Sequence, residues 1–209
     1  MNHIKNIIFD LGGVLINLDY PATEKKFNEF GLSNFNELFT QAKQNQLFDL
    51  YETGKISSDF FIHEIIKLSN YSLNEEKIKE AWNAMLLDFP IERIEFLESL
   101  NKDCQIFLLS NTNEIHIQSF KEILNTNIGY DRFLNCFKKV YYSYEIGLRK
   151  PHAEIFEFVL NEQNLLASET IFIDDSAQHI KGAESCGVKS YLLNTQNNNV
   201  INLVYNLGL

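Results

Sequence analysis

The sequence is short of most features that mark a secreted, membrane-spanning or nucleic-acid-binding chain. Its three cysteines, Cys104, Cys136 and Cys186, are odd in number, far apart and without a CxxC pair. That pattern argues against a disulfide framework and fits reduced thiols in or near a core. Basic residues are scarce: 18 Lys and Arg stand against 28 Asp and Glu, a formal net charge of −10. Such a balance leaves no basic stripe for a nucleic acid or an anionic membrane surface. No apolar run approaches the ~18 residues that a membrane helix needs. The start, MNHIKNIIFD, lacks the long apolar segment of a signal peptide, so the cytoplasm is the expected location. No GxSxG, HExxH or P-loop pattern is present, and there is no repeat or low-complexity segment.

What is present reads as an ordinary globular chain. Of 209 residues, 45% are hydrophobic and 22% charged, enough for one large domain or one domain with an insert. Five short runs, at 4–9, 105–110, 138–143, 170–174 and 188–193, are near-continuously apolar over part of their length. Strands buried on both faces of a parallel sheet look like this. Between the later runs lie helical patterns at 92–101, 113–125, 152–163 and 176–186, the last followed by Gly187 at a C-cap position. The alternation predicts an α/β fold, a doubly wound parallel sheet with helices on its faces.

One interval breaks the rhythm. Asp10 and Ser110, at the ends of the first two strands, stand 100 positions apart, whereas a crossover needs only about a dozen residues. The helix at 92–101 serves as that crossover, and the segment before it is surplus. It reads as helical: Pro21 suits a first turn, Gly31 a stop, and Ser57 or Ser58 a fresh N-cap. The expected organisation is therefore a core of residues 1–16 and 91–209 with a helical insert at 17–90. The aromatic residues of the insert, Phe48, Tyr51, Phe60, Phe61 and Trp82, are expected in its own core. Residues 194–200 read as a polar loop.

In open α/β sheets ligands bind beyond the carboxyl ends of the strands. Those ends deliver Asp10 before Gly12 and Gly13, Ser110 and Asn111 from LLSNTN, Lys150 from GLRKP, and Asp174 and Asp175 from FIDDS. Each has a bland reading as a turn, cap or solvated charge, but all of them converge on one edge of the sheet. Three carboxylates aimed at one cleft call for a hard cation, and oxygen-only donors favour Mg²⁺ over zinc. Lys150 would keep Asp10 ionised and attract a phosphate, with Ser110 donating to one phosphate oxygen. An anionic nucleophile approaching an anionic phosphoryl group needs this screening.

FDLGGVL, LLSNTN, LRKP and FIDDS resemble, in order and spacing, the four motifs of the haloacid dehalogenase superfamily. The insert resembles that superfamily's helical C1 cap, and YETGKIS a stretch common among its members, with glucose-1-phosphatase-like phosphatases the nearest branch. The resemblance covers essentially the whole chain. It implies a phosphatase of small phosphorylated metabolites, with Asp10 as nucleophile and an aspartyl-phosphate intermediate. It further implies Mg²⁺ held by Asp10, Asp175, the Gly12 carbonyl and Asp174, directly or through water. Ser110 and Lys150 would bind the phosphoryl oxygens, with Asn111 beside them and the bare N–H groups of the loop at Gly12 cradling the anion. The sequence departs from the pattern at one place: these phosphatases usually carry a second Asp two residues after the nucleophile, as general acid and base. Gly12 can offer a metal its carbonyl but gives the leaving group no proton. Asp19, where the insert begins, is either a substitute acid or an N-cap for the helix at Pro21.

Two other readings stand beside the phosphatase. A metal-free 2-haloacid dehalogenase would account for the missing Asp but gains nothing from the Asp174–Asp175 pair. A catalytically weak phosphate-binding protein would have kept the cradle and lost the acid. His116, His152 and His179 lie at helix starts and are expected to be caps or surface groups.

Overall fold

A computed structural model describes residues 4–32, 35, 46–100 and 104–209. Five strands, β1 (Asn6–Phe9), β2 (Gln105–Ser110), β3 (Lys139–Tyr142), β4 (Thr170–Asp174) and β5 (Lys189–Leu192), form one sheet in the order β3-β2-β1-β4-β5. Every pairing is parallel, with Phe9 opposite Leu108 on one side and Ile173 on the other. β1, β2 and β4 are almost wholly buried, as their continuous apolar runs require, while the edge strand β5 is only half-buried. The chain steps outward from β1 to β2 and β3, then returns past β1 to β4 and β5. That reversal puts a topological switch point at β1 and β4, where a crevice opens.

Each face of the sheet buries alternate side chains under helices. Ile7, Phe9, Ile106, Leu108, Ile171 and Ile173 pack beneath α5 (Ile91–Leu100), α6 (Glu114–Asn127), α7 (Tyr130–Asn135) and α11 (Val200–Asn206). Ile8, Phe107, Leu109, Tyr141 and Phe172 pack beneath α9 (Ala153–Glu162) and α10 (Ala177–Ser185). The short α8 (Ser143–Ile146) follows β3. The polar stretch 194–200 is a loop up to Asn199, whose side chain caps α11.

Between β1 and α5 the described residues form α1 (Tyr20–Glu29), α2 (Leu47–Glu52), α3 (Ser58–Leu68) and α4 (Glu75–Asn83). The predicted Ser57 cap is observed, accepting from Phe60 N–H. Phe27, Tyr51, Phe61, Ile78, Ala81 and Trp82 form a separate hydrophobic cluster that also takes in Ile115 of α6. Phe60 is a correction: it is 49% exposed, because one residue of helix turns it about 100° away from its buried neighbour Phe61. Two strands of linker join this bundle to the sheet side by side, with Asn17 N–H donating to Asp88 O and Asp19 N–H to Met85 O. Arg93 clamps the crossing, donating to Leu15 O and Asn17 Oδ1, both at 2.8 Å.

Candidate active site

The sheet itself sets the positions of the carboxylates. Asp10 follows the central strand, with its N–H bonded to Ile173 O at 2.9 Å, so it sits between the ends of β2 and β4. Ser110 closes β2 and Asp174 closes β4. After Asp10 the chain folds back at once, Leu15 and Ile16 N–H both donating to Leu11 O. Gly13 takes a φ of +70°, and a Cβ on it would collide with the Asp175 carboxylate. The missing side chain makes the seat for Asp175.

Lys150 is wholly buried beneath these groups. Its ammonium donates to Asp10 Oδ1 (2.6 Å), Asp174 Oδ2 (2.7 Å) and Leu109 O (2.9 Å), three acceptors for three protons. Burial opposes its charge, but the pull of Asp10 and Asp174 outweighs it and holds the ammonium above its usual pKa. Asn111 fixes the loop: its Nδ2 donates to Lys150 O and its Oδ1 accepts from Lys150 N–H, both at 2.9 Å. The Asn111 side chain is thus spent on holding Lys150.

The three aspartates occupy different electrostatic surroundings. Burial, against the pull of Lys150 and with the repulsion of Asp174 and Asp175, pushes Asp10 up to about 7. Asp174 is held down to about 2: Lys150 and His179 overcome its burial. Its oxygens also accept Ser176 N–H at 2.7 Å and face His179 Nδ1 at 3.0 Å. Asp175 is raised by burial and by its neighbour Asp174. Oxygens of all three lie within 4.8 Å of one another. An all-oxygen set with excess negative charge fits a hard divalent cation such as Mg²⁺.

Above the cluster opens a cavity of about 790 Å³, within the size range of small-molecule sites. Asp10, Gly12, Ser110, Asn111 and Asp175 line its floor from the sheet side, and Tyr20, Phe48, Glu52 and Trp82 line it from the inserted helices. All the site residues expected from the sequence therefore meet in one place, with Asp174 and Lys150 just beneath the surface. Asp19 stands apart, exposed at the N-cap position of α1 with no side-chain capping bond.

Sequence reasoning missed several residues of this wall. His116 is no surface group: its Nε2–H donates to Trp82 O (3.1 Å), its ring stacks on Trp82, and burial lowers it to about 4. His179 faces Asp174. His152 alone behaves as expected, standing at the N-cap of α9 without a capping side chain. Glu52 and Arg149 face each other across the cavity wall, Oε2 to Nη2 at 2.9 Å. Burial pushes Glu52 up to about 7, against the pull of the Lys150 ammonium. Both were signposted, Glu52 by YETGKIS and Arg149 by its place beside Lys150.

Known proteins share this architecture. A profile of haloacid dehalogenase-like hydrolases matches residues 4–187. A D-ribitol-5-phosphate phosphatase of Bacteroides thetaiotaomicron is 30% identical over 90% of this chain and 91% of its own. A sesquiterpene phosphatase of Aspergillus oryzae is 24% identical over 88% and 87%. Among solved structures, a haloacid dehalogenase family enzyme of B. thetaiotaomicron in complex with magnesium and inorganic phosphate superposes with a TM-score of 0.83 at 33% identity, over 93% of this chain and 96% of that one. A family hydrolase of Porphyromonas gingivalis gives 0.85 at 30% identity, over 98% and 97%. With its four motifs gathered at the switch point of a five-stranded parallel sheet, the chain belongs to the haloacid dehalogenase-like hydrolase family.

Proposed function

We propose that this protein is a Mg²⁺-dependent phosphomonoesterase of small phosphorylated metabolites, in which Asp10 is the nucleophile. The observation that carries the reading is the cluster of Asp10, Asp174 and Asp175 over the buried Lys150, opening into one cavity. Asp10 Oδ attacks phosphorus and the bond to the leaving oxygen breaks, the alkoxide taking its proton from solvent because Gly12 has none to give. A water then attacks the aspartyl-phosphate, loses its proton to solvent, and frees inorganic phosphate and the Asp10 carboxylate. Asp10, Asp175 and the Gly12 carbonyl would hold the cation, with Asp174 behind them, its oxygens already engaged by Lys150, Ser176 and His179. Bound there, Mg²⁺ neutralises charge on the phosphoryl oxygens. Lys150 keeps the anionic form of Asp10 within reach against its burial and steadies the incoming phosphoryl charge from below. Ser110 offers its hydroxyl to a phosphoryl oxygen, and Asn111 keeps Lys150 in place.

Residues 17–90 are the cap domain on a core of 1–16 and 91–209, a division supported by the separate hydrophobic cluster of the inserted helices. The substrate class is a sugar or sugar-alcohol phosphate, supported by the likeness to the ribitol-5-phosphate enzyme over nine-tenths of both chains. The net charge of −10 supports a small-molecule rather than a nucleic-acid substrate, and three free cysteines support a cytoplasmic location. Among the described residues no helix is long and apolar enough to cross a membrane. Three clustered carboxylates set against one buried ammonium favour a cation-dependent reaction over a metal-free dehalogenase. The test is turnover of p-nitrophenyl phosphate with Mg²⁺ and with EDTA. Turnover should depend on Mg²⁺ and vanish with the chelator; a rate indifferent to EDTA would sink the assignment.

A further inference from the structure

Among the described residues, four buried polar side-chain atoms have no hydrogen-bond partner: Glu52 Oε2, Trp82 Nε1, Asn83 Oδ1 and Arg149 Nε. Glu52, Trp82 and Arg149 all line the cavity over Asp10. A buried donor or acceptor left unpaired costs about 1–3 kcal/mol, and native proteins keep few of them. Three among the residues lining one cavity, with Glu52 Oε2 held only by its ion pair to Arg149, call for a ligand that completes their hydrogen bonding.

The three groups are also held still. Trp82 is sandwiched between Phe48 (centroids 5.5 Å apart, 4° between planes) and His116 (5.3 Å, 19°), so its N–H edge has no freedom to seek another partner. Arg149 is gripped by two carboxylates of α2, Asp49 and Glu52, with its Nε–H left over. The contact to Glu52 is close enough for an ion pair yet out of line for a hydrogen bond. α2 in turn is pinned to the sheet domain. Ile115 N–H donates to the Tyr51 hydroxyl, and Gly54 (φ +64°) lies against the Tyr144 carbonyl with no room for a Cβ. Two donors and one acceptor are thereby held among the residues that line the cavity with Asp10.

We propose that Trp82, Glu52 and Arg149 read the hydroxyl groups of the leaving group, and so select polyhydroxylated phosphate esters over plain alkyl ones. The Trp82 and Arg149 N–H groups donate to hydroxyl oxygens, and Glu52 Oε2 accepts a hydroxyl proton. A hydroxyl is both donor and acceptor, which matches a lining of mixed sign; an alkyl chain leaves all three atoms without a hydrogen bond. A site built to hydrogen-bond a hydroxyl rejects the analogue lacking it more strongly than an apolar pocket rejects a change of size. This assignment rests on the phosphomonoesterase reading.

The experiment compares ribitol 5-phosphate with n-pentyl phosphate, two five-carbon primary esters that differ in their hydroxyls. p-Nitrophenyl phosphate with Mg²⁺ reports the basic activity. The wild type should prefer the polyol ester by a hundredfold or more in kcat/KM. Trp82→Phe, which keeps the ring sandwich and deletes the N–H, should cut kcat/KM for the polyol ester tenfold or more, largely through KM. It should cost n-pentyl phosphate less than threefold. Glu52→Gln should act in the same direction, with thermal melts confirming that both variants fold. Equal losses on the two esters would overturn the assignment and mark the wall as structural. So would a wild type that treats the two alike, or one that hydrolyses only the nitrophenyl ester. Absence of any Mg²⁺-dependent turnover, including the nitrophenyl ester, would overturn the phosphatase reading beneath it.

Discussion

At the scale of single residues, Asp10 meets two opposed demands. A nucleophile has to be anionic, yet burial pushes its carboxyl up to about 7. Lys150 is what keeps the ionised form in reach, 2.6 Å away and itself sealed from solvent. Asp10→Asn keeps the shape and removes the attacking charge, so turnover should fall below detection while the melting temperature does not drop. Lys150→Ala does something different. It leaves Asp10 and Asp174 facing each other in the interior without a counter-charge, and breaking such a buried pair costs about 3–5 kcal/mol. Chemical denaturation should show a loss of that order, and Mg²⁺ should restore part of it. A Lys150→Ala protein as stable as the wild type would mean that the ammonium does not hold the carboxylates together.

At the scale of elements, the parts that the sequence announces are those whose burial is two-sided. β1, β2 and β4 carry unbroken apolar runs because helices cover both faces, and such runs set the strand ends where Asp10, Ser110 and Asp174 stand. α7 and α8 left no such trace: at six and four residues they are too short for a helical period to declare itself. His116 was misread for a related reason. Its position at the start of α6 is local information, but its burial under Trp82 of α4 depends on how two elements distant in sequence dock. That docking has a pH signature. The His116 Nδ1 accepts from Asn113 Nδ2, and its Nε2–H donates to Trp82 O, so protonation would set two donors against each other. Burial lowers it from 6.5 to about 4. Between those values the unfolded chain takes the proton and the folded one does not, so stability falls as pH drops through 6.5 toward 4. The ring borders the cavity, so the full shift is discounted to on the order of 1–2 kcal/mol. His116→Gln should remove that increment. Between pH 7 and 4.5 the wild-type denaturation midpoint should fall relative to that of the variant, and parallel curves would show that His116 is not the group responsible.

For the whole molecule, the active site concentrates a charge imbalance that the chain already carries. The net charge is −10, and at the switch point three carboxylates stand against one ammonium. The folded state therefore holds a repulsion that the unfolded chain relieves by separating the groups. A cation bound between the carboxylates reverses this and binds the folded form alone, so it stabilises by linkage: at a hundred times its dissociation constant, about 2.7 kcal/mol. For a protein of this size that is roughly 5–10 °C of melting temperature. Asp175 separates this effect from general salt screening. Its pKa is raised by burial and by Asp174, a sign that its charge is unwelcome without a partner, and its carboxylate occupies the seat left by Gly13. Asp175→Asn keeps the shape and deletes that charge. In EDTA the variant should melt at or above the wild type, because a repulsion has gone. With Mg²⁺ the order should reverse, since the wild type gains its several degrees and the variant gains almost none. Matched NaCl should leave both where EDTA put them. Mg²⁺ raising the two proteins equally, or NaCl reproducing the wild-type rise, would show that the stabilisation comes from ionic strength and not from a cation seated between Asp10 and Asp175.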